Sequence, residues 1–263
     1  MSIKIFQVDA FTSEPFKGNP AAVCILEKEM TDSWMTGVAA NMNLSETAFI
    51  IATEEKNKYK LRWFTPKVEV DLCGHATLAT AHVLYENNYV PSLEAISFET
   101  KSGILKTHKN ENYIQLDFPE TPVTDTEIPK GIEEALGAKI IYSGKSIFDY
   151  FFLLEDEELL INLKPNFSEL VKFDKRGIIV TAGSKKYDFV SRFFAPQSGI
   201  DEDPVTGSAH CALYPYWSKK LNKKDLVAYQ VSKRGGLLKL SSEGSRILIS
   251  GEAVTILEGI LKI

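Results

Sequence analysis

Arg192–Trp217 reads RFFAPQSGIDEDPVTGSAHCALYPYW, and the reading of the whole chain starts from it. A short aromatic run ends at Ala195-Pro196, too short for a helix and suited to the end of a strand. The acidic loop Asp201-Glu202-Asp203-Pro204 follows, and Thr206-Gly207-Ser208-Ala209 then opens a helix. The helix is predicted because Ala209, Ala212 and Leu213 recur at three- and four-residue spacing. Its first turn carries unpaired N–H groups and a partial positive charge, so Gly207-Ser208 is suited to hold an anion. The carboxylate of Asp203 stands just before that turn.

The same pattern occurs earlier, in Arg62–Tyr85, RWFTPKVEVDLCGHATLATAHVLY. Arg62-Trp63-Phe64-Thr65-Pro66 reads against Arg192-Phe193-Phe194-Ala195-Pro196, and Asp71 against Asp201. After a three-residue insertion, Gly74-His75-Ala76 reads against Gly207-Ser208-Ala209. The offset is 130 residues in a chain of 263, so the repeating unit is half the protein. Short patterns of this composition also arise by chance. A true duplication sets two helix N-termini facing across a cleft, with a small anionic ligand between them.

Composition bounds the remaining choices. A chain of 263 residues, 44% hydrophobic, can bury a core in one large or two small domains. A net charge of −5 without a basic cluster argues against nucleic acid as a partner. The start, Met-Ser-Ile-Lys-Ile-Phe-Gln-Val-Asp, alternates like a strand and does not read as a signal peptide. No apolar run has membrane-spanning length. Three cysteines fit reduced thiols in a cytoplasmic protein.

Along the chain, strands are expected at 3–8 and 21–26, joined by a loop through Gly18-Asn19-Pro20, a turn signature. A helix capped by Thr31-Asp32 runs to about Asn41. Glu46 in Leu44-Ser45-Glu46-Thr47-Ala48-Phe49 precedes a strongly apolar strand. It reads either as a solvated loop acid or as a partly desolvated acid/base at the rim of a buried strand. Further strands are expected at 59–64, 95–99, 103–108 and 113–118, around a helix from Gly74 to about Tyr85 that is small or apolar nearly all round. His75 and His82 share a face of that helix, but no acidic residue stands at metal-ligand spacing, so no metal is expected. Phe118-Pro119-Glu120-Thr121-Pro122 marks the domain boundary and gives domains 1–118 and 119–263. Beyond it, strands are expected at 140–142, 150–154, 177–182, 227–231, 237–240, 246–249 and 253–256, with helices at 132–136 and 167–172. The acid run 156–158 reads as solvated surface. Both halves are α+β.

Four blocks then become specific together: VDAFTSEPFKGNPAAV, LSETAFI, CGHATLATA and DPVTGSAH. In this order they resemble the PhzF-like isomerase family, named for phenazine biosynthesis, over essentially the whole chain. The resemblance implies the diaminopimelate-epimerase-like fold: two similar domains, each a barrel-like sheet wrapped around a central helix, with the active site in the interdomain cleft. It also implies a cofactor-independent isomerase that moves a proton within a small unsaturated carboxylic acid. Glu46 would be the general acid/base, with His75, Asp203 and Ser208 as supporting catalytic groups. Gly74 and Gly207 would bind substrate through backbone N–H groups, with Asn19 lining the pocket. The same resemblance suggests a homodimer and requires neither metal nor organic cofactor.

Two alternatives stay open. Related epimerases use two thiols, one from each half. Cys73 stands where the first would be, the second would fall near Pro204, and Cys211 comes two turns too late. An amino-acid racemase or epimerase is therefore the second reading, with Cys73 read as a packed residue beside the site. A non-catalytic small-anion binding protein of the same fold is the third, although a pure binder has no use for a base.

Overall fold

The first strands are apolar on both faces, so each face needs a cover. In the computed structural model, which describes residues 2–262, β1 (Ser2–Ala10) and β2 (Asn19–Leu26) pair antiparallel. Helix α1 (Asp32–Met42) is N-capped by Thr31, whose Oγ1 accepts from the Trp34 N–H at 3.3 Å. It leads into β3 (Glu46–Ala52), parallel to β2 and antiparallel to β4 (Lys58–Phe64). A two-residue strand, β5 (Glu69–Val70), precedes α2 (Gly74–Glu86). After it, β6 (Ile96–Thr100) lies parallel to β4, and β7 (Gly103–Asn110) and β8 (Tyr113–Pro119) follow antiparallel.

Period-two alternation sorts the two faces of this sheet. Ile3, Ile5, Ala22, Cys24, Leu26, Phe49 and Phe64 form one cluster with Met35, Val38 and Ala39 of α1. The opposite set, Phe6, Val8, Ala21, Val23, Ala48 and Ile50, is equally buried, and α2 packs against β1, β2 and β3. Eleven of the 13 residues of α2 are buried. Ala76, Ala79 and Ala81 are fully buried there, so a larger side chain would overpack the helix at a cost of about 1–3 kcal/mol.

The second half opens with β9 (Thr124–Asp125), the short helix α3 (Ile132–Leu136), β10 (Tyr142–Lys145) and β11 (Asp149–Leu153). Two short helices, α4 (Glu157–Ile161) and α5 (Phe167–Leu170), precede β12 (Gly177–Gly183) and β13 (Phe189–Phe194). Helix α6 (Gly207–Leu221) comes next, then β14 (Leu226–Gln230), β15 (Gly236–Glu243), β16 (Arg246–Gly251) and β17 (Ala253–Lys262). On one face of the strands of this half, Phe152, Ile178, Val180, Val190 and Phe194 pack against Ile132, Leu136, Leu160 and Leu170 of the short helices. Trp217 of α6 stacks on Phe189 with ring centroids 5.4 Å apart and donates its Nε1–H to Thr181 Oγ1 at 3.0 Å. That one hydrogen bond lets a bulky indole be fully buried.

Pairing repeats between the halves. From β1 through β2, β3, β4, β6 and β7 the sheet alternates antiparallel, parallel, antiparallel, parallel, antiparallel. From β10 through β11, β12, β13, β14 and β15 the alternation is the same. Two arginines 130 residues apart make the same clasp. Arg62 grips Glu69 through Nε and Nη2, both at 2.7 Å, and Arg192 grips Glu202 at 2.7 and 2.9 Å. Each guanidinium also lies over a phenylalanine two residues on, Phe64 or Phe194, at 5.0 and 4.9 Å.

Several sequence expectations are corrected. The compact units are Met1–Phe118 with Leu248–Ile263, and Pro119–Ile247, so the last strand does not stay with residues 119–247. The reason is β17, which runs antiparallel along β1 from Ala10↔Ala253 to Ser2↔Lys262. The strand expected at 140–142 begins later, because the Ile140 N–H is taken by Glu133 Oε1 at 2.8 Å and its side chain joins the α3 cluster. The acid run 156–158 does lie at the surface, and it also starts a helix: Asp156 Oδ1 caps α4 by accepting from the Leu159 N–H at 2.8 Å.

Candidate active site

Strand parity decides which way Glu46 points. Glu46 is the first residue of β3, opposite Ala21 of β2, and shares the α2-facing set with Ala48 and Ile50. There it meets His75, the second residue of α2: Glu46 Oε2 and His75 Nε2 are 3.2 Å apart. The two side chains are 14% and 6% exposed. Burial pushes the His75 imidazolium down to about pH 3, so the ring is neutral at neutral pH. A neutral imidazole donating Nε2–H orients the carboxylate without the strong depression of basicity that an adjacent cation would impose. On its other side, His75 Nδ1 lies 3.5 Å from Cys73 Sγ. Asn19 opens β2 as a fully buried residue with the same parity as Ala21 and Val23.

Gly74 is the first residue of α2, and the N-cap Cys73 makes no side-chain bond to the first turn. The Thr77 hydroxyl instead donates to the Cys73 carbonyl at 2.5 Å. In the second unit Thr206 caps α6 in the same way, without a side-chain bond, and Gly207 and Ser208 begin the helix. His210 there takes the place of Thr77, with Nδ1 2.8 Å from the Thr206 carbonyl. The only partner there is an acceptor, so Nδ1 carries the ring proton, and burial keeps this ring neutral too, with its pKa down to about 4.

Asp203 lies in the loop before α6 and accepts from the Thr206 hydroxyl at 2.5 Å. Ser208 Oγ stands 3.3 Å from Arg176 Nη2, and Arg176 in turn grips the buried Asp149 with contacts of 3.0 and 2.6 Å. The second-unit residues Asp203 and Ser208 are thus tied to separate networks. Sequence reading missed the groups behind them. Gln230, the last residue of β14, is fully buried and holds the Asp203–Thr206 loop. Its Oε1 accepts from the Thr206 N–H at 2.9 Å, and its Nε2 donates to the Asp203 carbonyl at 2.7 Å and to Thr206 Oγ1 at 3.2 Å. A glutamine ending the apolar run Leu226–Gln230 was the available signal; nothing in the sequence marks Arg176.

The structure also corrects the premise behind the metal reading. An acidic partner for His75 does exist, brought from β3 across a sequence distance that local spacing does not reveal. Glu46, Cys73 and His75 each present one donor atom, all within 4.8 Å of one another. Among the described residues, no helix is long and apolar enough to cross a membrane.

The family described as phenazine biosynthesis-like protein, PhzC-PhzF, matches residues 8–259. A protein of Halalkalibacterium halodurans described as an uncharacterized isomerase is 52% identical over 260 residues, covering 98% of this chain and 97% of its own. A crystal structure of a PhzF-family phenazine biosynthesis protein from Enterococcus faecalis superposes with a TM-score of 0.94 at 47% identity, covering all of both chains. A Pseudomonas aeruginosa structure described as a predicted epimerase shares the fold, with a TM-score of 0.79 at 17% identity over 98% of this chain and 99% of its own. With its fold and nearly its whole length matched, the chain belongs to the PhzC/PhzF phenazine biosynthesis-like family.

Proposed function

We propose that this protein is a cofactor-independent isomerase that moves a proton within a small unsaturated carboxylic acid, with Glu46 as the acid/base. Relatives described as isomerases support the reaction class. The observation that carries the residue assignment is the contact of Glu46 with His75 at 3.2 Å, both largely shielded from water. The carboxylate of Glu46 takes a proton from a carbon next to the double bond. The electron pair spreads into the conjugated carboxylate, and the proton returns to the far carbon as the double bond shifts. One C–H bond breaks, one forms, and no electrons are gained or lost.

In this reading the N–H groups at Gly74, and in the second unit those at Gly207 and Ser208, are the anion-binding groups. Asn19 lines the pocket. Asp203, steadied by Thr206 and Gln230, and Ser208, steadied by Arg176, take the supporting roles. The two-thiol racemase is disfavoured by Cys211, which is buried within α6, directs its thiol at the Gly207 carbonyl and has a pKa pushed up to about 12.

The test begins with mass spectrometry of small acids released from the purified, denatured protein. Each acid found is then incubated with fresh enzyme in D2O. Deuterium entering a carbon–hydrogen position beside the double bond, with the double bond shifted, is the expected result. A bound acid that never exchanges would refute the isomerase and favour a binding protein.

A further inference from the structure

Cys73, His75 and Glu46 supply a sulfur, a nitrogen and an oxygen on one side of the first unit, at the start of α2 and of β3. We propose that these three residues form a binding site for a thiophilic divalent cation of the Zn2+ class, and that the cation withdraws Glu46 and His75 from proton transfer. The inference concerns regulation of the proposed active centre and rests on that reading only for its effect on activity.

The geometry fits such an ion. Bonds of about 2.3 Å to sulfur and 2.0–2.1 Å to nitrogen and oxygen make tetrahedral edges of about 3.3–3.6 Å. His75 Nε2 stands 3.2 Å from Glu46 Oε2 and 4.0 Å from Cys73 Sγ, and the three donor atoms all lie within 4.8 Å of one another, so the sulfur must approach to close them onto one ion. Binding through Nε2 requires the ring proton, donated to Glu46 in the metal-free site, to sit on Nδ1 instead, on the side of Cys73 Sγ. Cys73 is the N-cap of the 13-residue helix α2, so its sulfur stands beside the first turn that carries His75. On binding, the thiol gives its proton to solvent, and the thiolate and carboxylate together balance the two charges of the ion. Three protein ligands leave the fourth position for water or another small ligand. The remaining thiols lack this setting: Cys24 sits in the α1-facing cluster and Cys211 inside α6, outside the group formed by Glu46, Cys73 and His75.

The experiment titrates the intact protein with CoCl2 and follows the thiolate-to-cobalt charge-transfer band and the visible d–d bands, with ZnCl2 as competitor. One equivalent of Co2+ should bind with the intense visible absorption of a four-coordinate thiolate site, and Zn2+ should displace it. Cys73→Ser should abolish the charge-transfer band and weaken binding by about 100-fold or more, given that even outer-shell partners are worth 10–100-fold. Glu46→Gln should weaken binding while keeping the band, and Cys24→Ala should leave both unchanged. Circular dichroism of each variant checks that it is folded. No charge-transfer band in the wild type, or a band that survives Cys73→Ser, would overturn the site. Zn2+ that binds at this site yet leaves isotope exchange unaffected would keep the metal site and refute Glu46 as the base.

Discussion

Replacing Gln230 with leucine keeps the volume and removes the clamp on the loop that carries Asp203. The wild-type side chain is fully buried and makes three hydrogen bonds to two residues of that loop. Leucine leaves the Thr206 N–H and the Asp203 carbonyl without this partner, and each such buried group costs about 1–3 kcal/mol. Leucine regains about 1 kcal/mol through its apolar surface, so the net loss should be about 1–5 kcal/mol. With a urea slope of about 2 kcal/mol/M, the unfolding midpoint should fall by about 0.5–2.5 M. Gln230→Glu should do no better at neutral pH: it keeps the acceptor for Thr206 but buries a charge against the Asp203 carbonyl. Urea titration followed by circular dichroism measures both, and turnover of the folded variants should drop as Asp203 loses its support. A Gln230→Leu midpoint within about 0.3 M of wild type would refute the claim that this residue holds the loop.

The two arginine clasps should differ in cost. Arg192→Met strands a largely buried Glu202 and removes the donor to the Leu160 and Leu163 carbonyls, so thermal and urea melts should show a loss of about 3–5 kcal/mol. Arg62→Met should cost about 1 kcal/mol, since Arg62 is a third exposed and Lys101 remains on Glu69. Gly18 has φ +62°, and a Cβ there would fall 2.1 Å from the Ala10 carbonyl oxygen, so Gly18→Ala should cost about 2 kcal/mol or more and displace Asn19. Acid should destabilise the fold between about pH 6.5 and 4. Above that window His210 is neutral both folded and unfolded; within it the unfolded chain binds the proton that the folded chain refuses. Stability therefore falls with falling pH, by about 3 kcal/mol from His210 alone, with His75 acting in the same direction. His210→Gln should flatten the measured pH–stability curve.

The helices were legible because their signals are local. Small apolar residues all round Gly74–Glu86 and the alanines of Gly207–Leu221 demand enclosure whatever surrounds them. The duplication was legible because Arg62 and Arg192 keep the same neighbours in the chain and make the same clasp. Pairings formed at long range left no comparable mark. Nothing near Ala253–Lys262 states that it will run along β1, and nothing near His75 states that Glu46 will arrive from β3. Gln230 and Arg176 act on the candidate site from elements whose sequences read only as strand and loop. Their role depends on which backbone groups the fold leaves to be satisfied.

The central claim is that Glu46, held by neutral His75, carries the proton. Its most direct test compares solvent-deuterium incorporation into a bound acid by the wild type, Glu46→Gln and Cys73→Ser. Glu46→Gln keeps the shape and hydrogen-bonding reach but cannot take a proton, so exchange should fall by roughly a hundred- to ten-thousand-fold with binding nearly unchanged. Cys73→Ser should keep most of the activity. Exchange that persists in Glu46→Gln and vanishes in Cys73→Ser would contradict the account and move the chemistry to the thiol.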